Sequence, residues 1–158
     1  NESCETELSR SIRLGCYDII LPQTNEQFRN MFSLFSVKKL NLPELLMNGF
    51  LKLRKRSIVQ HRKDSLLLND YPKLEQSYNE LKNISSPTLI LWGRDDKLYT
   101  YFGADYFRSI IPNSKALILN DCGHFMGLDQ GKKIGDYITQ FYDKNCPATS
   151  RISTKTIS

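Results

Sequence analysis

Two apolar runs separated by a helical pattern organise the second half of the chain. The first, residues 88–92, follows a proline and ends at Gly93, which is typical of a strand buried on both faces in a parallel sheet. Residues 101–111 carry apolar side chains at helical spacing, and a second apolar run follows at 116–119. Strand, helix and strand over this length predict a parallel βαβ unit with a right-handed crossover. A closing amphipathic helix over 129–142 is expected to pack against the sheet.

The pattern of the first half changes from strand-like to helical after Pro22. Thr24 and Gln27 form a capping-box pair, and an amphipathic helix with an aromatic face follows them. Pro43 and Pro72 are expected to open two further helices. The apolar positions assigned to the first two of these helices are Phe28, Met31, Phe32 and Phe35, and Leu45, Leu46, Phe50 and Leu53.

Carboxylates and a histidine follow the two predicted strands. Asp95 and Asp96 come soon after the first strand, and His124 follows the second. Because neighbouring parallel strands lie about 4.8 Å apart and end at the same edge of the sheet, one of the two aspartates is expected to reach the imidazole. An aspartate that accepts from one ring nitrogen leaves the other nitrogen able to act as a base toward a nucleophile. The pattern therefore predicts two members of a catalytic triad.

The order strand, G-x-x-D, helix, strand, G-H and closing helix resembles the carboxyl-terminal part of the α/β-hydrolases. Residues 87–142 are similar in detail to the lipase and monoacylglycerol-lipase branch, and a weaker likeness, ILPQTNEQFRNMFSLF, extends into the helical lid. The resemblance implies that the acid is Asp96 and the base is His124, with Asp95 at a variable position. It also implies an α/β fold in which a helical lid precedes parallel strands with crossover helices, here with an incomplete sheet.

The nucleophile elbow of this family is absent from the sequence. The triad order Ser, Asp, His puts the G-x-S-x-G motif upstream of Asp96, and no pair of glycines four residues apart has serine at its centre. We therefore expect these residues to be the carboxyl-terminal portion of a hydrolase whose first half lies outside them. The start, NESCETELSRSIRLG, has no initiator methionine and no charged-then-apolar leader. If the chain is a fragment, that absence says nothing about secretion.

The change of pattern divides the chain into three expected segments. Residues 1–84 are assigned to the lid, 85–146 to the core portion of the hydrolase, and 147–158 to a flexible tail with little to bury. Three aromatic or aliphatic side chains close to the catalytic positions or on the lid are candidates for lining an acyl pocket: Leu98, Phe125 and Phe32. Core packing is the alternative role for the aromatic face of the lid, and the two roles overlap where a lid roofs a pocket.

Composition and charge narrow the range of partners. The chain is 40% hydrophobic and 25% charged, close to average usage. Its net charge of +5 is uneven, because residues 1–84 carry 13 basic and 10 acidic side chains, 85–146 carry 7 of each, and 147–158 add two basic side chains. Segment 52–63, KLRKRSIVQHRK, holds six Lys or Arg. It fits either a solvated helix face or docking on an anionic membrane surface, while nucleic-acid binding is not supported because no recognition motif accompanies it.

The four cysteines are expected to be free thiols. They show no C-x-x-C spacing and no paired histidines, which argues against a zinc site. Cys122 lies two residues from His124 but shares its turn and would not face it, so it is interpreted as a small residue packed under the loop. No metal and no cofactor is expected.

The leading interpretation is a serine hydrolase that acts on carboxylic esters, with an acylglycerol or another lipid ester as substrate. His124 would take the proton of the serine and Asp96 would hold the imidazole, while the chain alone is expected to be inactive. The alternatives are a carbon-carbon bond or epoxide hydrolase of the same superfamily, and an inert fragment or binding module. A cytoplasmic or membrane-associated location is slightly favoured.

Overall fold

The computed structural model describes residues 4–67 and 71–146, which form helices around two paired strands. In chain order the elements are α1 (Glu7–Arg13), α2 (Asn25–Phe35), α3 (Glu44–Leu67), α4 (Tyr71–Glu80), β1 (Thr88–Gly93), α5 (Phe102–Ile110), β2 (Ser114–Leu119) and α6 (Met126–Asn145). Short 3₁₀ turns lie at Tyr17–Ile19 and Leu81–Asn83. The predicted flexible tail, 147–158, lies outside the described residues. Within the described residues, no helix is both long enough and apolar enough to cross a membrane.

The βαβ unit is confirmed. β1 and β2 pair in parallel with Ile90 opposite Ala116, and α5 connects them. The expectation that the first strand is buried on both faces is wrong, because residues 88–92 are only half-buried. In the described part of the chain β1 has β2 as its strand neighbour, with α5 and α6 packed against it, so its apolar side chains remain partly accessible.

The first helix of the predicted lid segment, α2, forms as its sequence predicts. The Thr24 hydroxyl accepts from the Gln27 amide at 3.1 Å, and the Gln27 side chain accepts from the Thr24 amide at 3.3 Å. This reciprocal capping box satisfies two amides that a helix start would otherwise leave unpaired. The aromatic face points inward: Phe28 and Phe35 are 3% and 4% exposed.

The apolar side assigned to α3 is wrong. Leu45 is 82% exposed and Leu53 is 65% exposed, while Met47 and Leu51 are buried. Leucines occur on several sides of this helix, so hydrophobic periodicity does not select one face. Packing against α2 selects it instead, because Met47 and Leu51 lie one turn apart and join the cluster around Phe28.

The strand-like interpretation before Pro22 is also wrong. Residues 7–13 form α1, which begins with a capping box between Thr6 and Ser9. The Thr6 hydroxyl also bonds the carbonyls of Lys97 and Leu98 at 2.7 and 2.9 Å. The start of α1 is thereby fixed to the loop that follows β1, the loop that carries Asp96.

The closing helix, α6, differs from its prediction in its start and in its packing. The closing helix begins at Met126, earlier than predicted, and it is interrupted at Gln130, whose backbone is non-helical. Its expected sheet-facing side is only partly covered, because Ile138 and Tyr142 are exposed.

One hydrophobic cluster connects the helices to the loops that follow the strands. The buried members of the cluster are Phe28, Met31, Phe35, Met47, Leu51 and Leu98.

Candidate active site

Asp96 and His124 meet across the two loops that follow β1 and β2. Oδ2 of Asp96 lies 3.0 Å from Nδ1 of His124. The other carboxylate oxygen, Oδ1, accepts from the amides of Leu98 and Tyr99 at 2.8 and 3.1 Å. The Asp96 side chain is 6% exposed. Because its own loop holds one oxygen, the second oxygen is directed at the imidazole, and the contact expected from the sequence is present.

The environment of His124 fixes which ring nitrogen can act. A carboxylate that accepts at Nδ1 requires Nδ1 to carry the proton, so Nε2 of the neutral ring has its lone pair available. The side chain is 36% exposed, and among the described residues nothing hydrogen-bonds Nε2. Aromatic rings surround the imidazole: the ring centroids of Phe35, Phe125 and Tyr99 lie 5.4, 6.1 and 6.5 Å from its own. Such a site can take a proton from a nucleophile that approaches Nε2.

Gly93 lets the two loops approach each other. A Cβ atom at this position would lie 2.3 Å from the carbonyl oxygen of Cys122 and 2.4 Å from that of Gly123, both of them backbone atoms. Beyond Gly93, the amide of Asp95 donates to the Cys122 carbonyl at 2.9 Å, and the Asp95 carboxylate accepts from the Cys122 amide at 3.2 Å. Asp95 therefore binds the backbone of the loop at 120–125 that carries His124, called the histidine loop from here on, while Asp96 binds the imidazole.

A third aspartate, Asp129, lies beneath the same loop. It is in the first turn of α6 and only 1% exposed. Burial raises the pKa of Asp129, but hydrogen bonds from the Ser36 hydroxyl and from the amides of Gly123, Lys38 and Val37 outweigh that effect and leave the pKa below its ordinary value. The side chain is therefore held as a carboxylate.

Cys122 is fully buried, and all four cysteines are free thiols. Burial, reinforced by the charges of Asp129, Asp95 and Asp96, raises the pKa of Cys122 from 9.0 to about 11. A thiol in this state is neutral near pH 7 and a poor nucleophile. Its burial beneath the loop agrees with the packing role inferred from the sequence.

The three candidates for pocket lining belong to, or pack against, the same hydrophobic cluster. The rings of Phe32 and Phe125 have centroids 5.1 Å apart, and both side chains are partly buried. Leu98 is 9% exposed and belongs to the buried cluster. The three side chains form a continuous apolar environment between α2 and the imidazole, and their contact with a substrate stays a prediction.

Comparison with known proteins assigns the family. The family model for the alpha/beta hydrolase fold matches residues 20–130, so the chain belongs to that family. The monoacylglycerol lipase ABHD6 of Mus musculus is 26% identical over 122 residues, which cover 77% of this chain and 36% of the lipase. A 2-hydroxy-6-oxononadienedioate/2-hydroxy-6-oxononatrienedioate hydrolase of Cupriavidus pinatubonensis is 29% identical over 119 residues, 73% of this chain and 40% of that hydrolase.

A solved structure gives the same fold. A membrane phospholipase A described as a bacterial virulence factor superposes with a TM-score of 0.65 at 21% identity, covering 89% of this chain and 44% of that protein. The chain spans 36–41% of the length of the curated relatives it matches. The similar proteins named here are hydrolases, two of them lipases or phospholipases that act on lipids by name.

Sequence reasoning did not assign two residues that build this site. In the sequence pattern Asp129 marks only the start of the predicted closing helix, and Phe35 is only one position of an aromatic face. A carboxylate in the first helical turn after the G-H motif was an available signal for Asp129, because backbone amides are unpaired at such a boundary. Nothing in the local sequence indicated that the Phe35 ring would lie against His124.

Proposed function

We propose that this chain supplies the acid and the base of a serine hydrolase acting on carboxylic esters. The observation that carries the proposal is the 3.0 Å contact between Asp96 Oδ2 and His124 Nδ1 across a parallel βαβ unit. The contact leaves Nε2 as the basic atom, and because the ring is partly exposed, a nucleophilic hydroxyl could approach that nitrogen. The nucleophile is proposed to lie outside these 158 residues.

In this mechanism Nε2 of His124 removes the proton of a serine hydroxyl as its oxygen attacks the ester carbonyl carbon. The imidazolium that forms is stabilised by the Asp96 carboxylate. When the carbon-oxygen bond of the ester breaks, the same Nε2 delivers its proton to the leaving alkoxide. A water molecule, deprotonated by His124 in turn, then attacks the acyl-enzyme, and the imidazolium returns this proton to the serine oxygen as the carboxylic acid is released. Asp96 takes no part in the proton transfers, since its role is to orient the ring and to stabilise the charge that forms on it.

A lipid ester, such as an acylglycerol, is the proposed substrate class. The likeness to a monoacylglycerol lipase supports this choice. The aromatic surface made by Phe32, Phe35 and Phe125 next to the imidazole also supports it, because an acyl chain requires an apolar wall close to the reacting carbonyl. Polar esters of similar reactivity should therefore be poorer substrates than medium-chain or long-chain acylglycerols.

A membrane surface is the proposed source of this substrate. The solvent side of α3 carries exposed leucines, among them Leu45 and Leu53, interspersed with exposed basic side chains at Lys52, Lys55 and Arg56. Apolar and basic side chains on one helix face are the combination that binds the interface of anionic bilayers. A solvated helix of purely polar character would not expose so many leucines.

The experiment compares acid and base variants in a protein that joins these residues to a nucleophile-bearing segment. His124→Ala and Asp96→Asn should each lower kcat for a monoacylglycerol by about 10³-fold to 10⁴-fold. Asp95→Asn is the matched control, because an amide oxygen at this position can still accept from the Cys122 amide. It should change kcat by less than about tenfold, which is about 1.4 kcal/mol.

Two outcomes would contradict the assignment. If Asp95→Asn proved more damaging than Asp96→Asn, the acid would be the other carboxylate. If the 158-residue chain alone hydrolysed p-nitrophenyl butyrate and His124→Ala abolished the turnover, a nucleophile would lie within it.

Carbon-carbon bond hydrolysis is the second candidate reaction, and the likeness to the Cupriavidus pinatubonensis hydrolase favours it. The same acid and base would serve it, so the substrate decides. Turnover of a 2-hydroxy-6-oxo-dienedioate with higher kcat/KM than a monoacylglycerol would replace the lipid-ester proposal while leaving Asp96 and His124 in their roles.

A further inference from the structure

We propose that Asp129 is a positioning residue that clamps the histidine loop to the end of lid helix α2 and thereby orients His124. The inference rests on the proposed function in one respect, namely that His124 is the base. Its geometric content, that one buried carboxylate sets the position of the His124 ring, stands independently of any reaction.

The clamp consists of four hydrogen bonds to one side chain. Oδ1 of Asp129 accepts from the Ser36 hydroxyl at 2.5 Å and from the Lys38 amide at 3.1 Å. Oδ2 accepts from the Gly123 amide at 2.8 Å and from the Val37 amide at 3.2 Å. Three of these donors follow α2, and the fourth belongs to the residue immediately before His124. The carboxylate therefore joins two segments about 90 residues apart in sequence.

Further contacts hold the same two segments together at the imidazole. The amide of Phe125 donates to the carbonyl of Phe35 at 2.7 Å. The backbones approach so closely that a Cβ atom on Gly123 would lie 2.8 Å from the Phe35 carbonyl oxygen. The Phe35 ring lies 5.4 Å from the His124 ring. With both neighbours of His124 fixed to the end of α2, the ring has little freedom to leave Asp96.

The clamp requires a carboxylate. Each oxygen of Asp129 accepts two hydrogen bonds, and all four donors are N–H or O–H groups. An asparagine would present an NH₂ group to at least one backbone amide, whichever way its side chain turned, and would leave that amide unpaired in a buried place. The Ser36 hydroxyl, by contrast, is one donor of four, so its loss should be tolerated better.

The Asp129 clamp also limits how the helical lid can move. The carboxyl-terminal end of α2 forms a single unit with the histidine loop, so α2 cannot swing away from the site without breaking a buried cluster of charge-assisted hydrogen bonds. Movement that admits a substrate is then restricted to parts of the lid beyond the Ser36–Lys38 turn. The clamp thus separates a fixed wall of the site from the remainder of the lid.

The test reads the His124 ring directly by nitrogen-15 NMR, which reports the ring nitrogen that carries the proton. The chain contains only two histidines. His61 lies on α3, well separated in sequence from the histidine loop, and therefore serves as an internal reference. In Asp129→Asn the population with the proton on Nδ1 should fall at least severalfold for His124 and stay unchanged for His61. Asp136→Asn, an exposed position on the same helix, makes the same chemical change and should leave both rings unaffected.

A second variant and a second readout guard against misfolding. Ser36→Ala keeps the carboxylate and three donors, and it should shift the His124 signals in the same direction by a smaller amount. In Asp129→Asn, alkylation of buried Cys122 should accelerate about tenfold or more in the absence of denaturant, and by less in Ser36→Ala, while that of exposed Cys16 should not change. In an active protein, kcat should fall about tenfold to a hundredfold with KM nearly constant.

The outcomes separate the two proposals. Unchanged His124 signals in Asp129→Asn and Ser36→Ala, or a change that His61 shares, would overturn the clamp. If the His124 signals move as expected while His124→Ala leaves turnover intact, the clamp stands and the catalytic assignment fails.

Discussion

Three aspartates around His124, two in the loop after β1 and one in the first turn of α6, have three different partners, although the residue type is the same. Asp96 binds the imidazole, Asp95 binds the Cys122 amide, and Asp129 binds the Gly123 amide together with the turn after α2. Each carboxylate meets an N–H group that the loop would otherwise leave unpaired. Side-chain chemistry alone does not distinguish the three, because the backbone to which each is attached determines the atom it meets.

Burial, reinforced by the same three charges, makes Cys122 an unreactive thiol. With its pKa at about 11, roughly one thiol in a thousand is ionised at pH 8, and only the thiolate reacts with alkylating reagents. In the folded chain Cys122 should therefore stay unmodified by iodoacetamide at pH 8 while exposed Cys16 is modified. Mass spectrometry of the cysteine-containing peptides, with and without urea, would measure both rates.

The pH dependence of Cys122 alkylation tests the same explanation. Raising the pH toward 11 should increase the Cys122 rate, because deprotonation is one of two barriers and exclusion of the reagent by burial is the other. A Cys122 rate equal to that of Cys16 at pH 8 without denaturant would show that the loop is not packed as described.

At the scale of elements, a strand end and a loop make contact through a glycine. The space occupied by a side chain at position 93 is already filled by the carbonyl groups of Cys122 and Gly123. Gly93→Ala should therefore force the histidine loop outward and destabilise the fold by about 1–3 kcal/mol, the range typical of overpacking. Urea unfolding would measure the loss, and the Asp96–His124 contact should lengthen with it.

Gly135→Ala is the matched control for that substitution. Gly135 lies within α6, and a Cβ atom there would meet nothing within 4 Å. Alanine is favoured over glycine in helices by about 0.8–1.0 kcal/mol, so this variant should be more stable than the parent chain. Equal effects of the two substitutions would mean that the close approach at Gly93 does not limit the position of the loop.

The elements themselves were predictable where the information is local. The βαβ unit and α2 follow from hydrophobic periodicity and from the Thr24 capping box, both contained in short windows. The contact between Asp96 and His124 followed from strand order, because parallel strands end at the same edge of the sheet. The catalytic roles of the two residues stay predictions.

What escaped prediction depends on distant partners. Asp129 meets Ser36 across 93 positions of sequence, and no window reveals such a pair. The buried side of α3 is likewise chosen by the cluster around Phe28, since leucines are available on several sides. The short α1 was missed because its stability comes from tertiary contacts of Thr6 as well as from its own capping box.

At the scale of the whole molecule, charge and apolar surface coincide. The basic excess lies in residues 1–84 and in the last twelve residues, while residues 85–146, which hold the Asp96–His124 pair, are balanced. The outward side of α3 combines that charge with exposed leucines of 59–82% accessibility. This distribution supports the proposed docking of α3 on an anionic surface, and an electrostatic attraction of this kind should weaken as the salt concentration rises.

Vesicle binding tests whether the chain docks on an anionic membrane through α3. The chain should bind vesicles of phosphatidylcholine with phosphatidylserine more tightly than vesicles of phosphatidylcholine alone, because each basic residue near an anionic surface contributes about 1 kcal/mol. Replacing Lys52, Lys55 and Arg56 with glutamine should therefore weaken binding by about 3 kcal/mol at low salt. Leu53→Ser should weaken binding to both kinds of vesicle, since an inserted apolar side chain contributes whatever the charge of the lipid.

The matched control removes three charges from a different place. Lys132, Lys133 and Lys144 are exposed on α6, so their replacement with glutamine changes the net charge by the same amount without altering α3. If the interaction depended on net charge alone, the two triple variants would lose the same affinity. Docking through α3 instead requires that the α6 variant retain most of the binding of the parent chain, and that only the α3 variant lose its preference for anionic lipid.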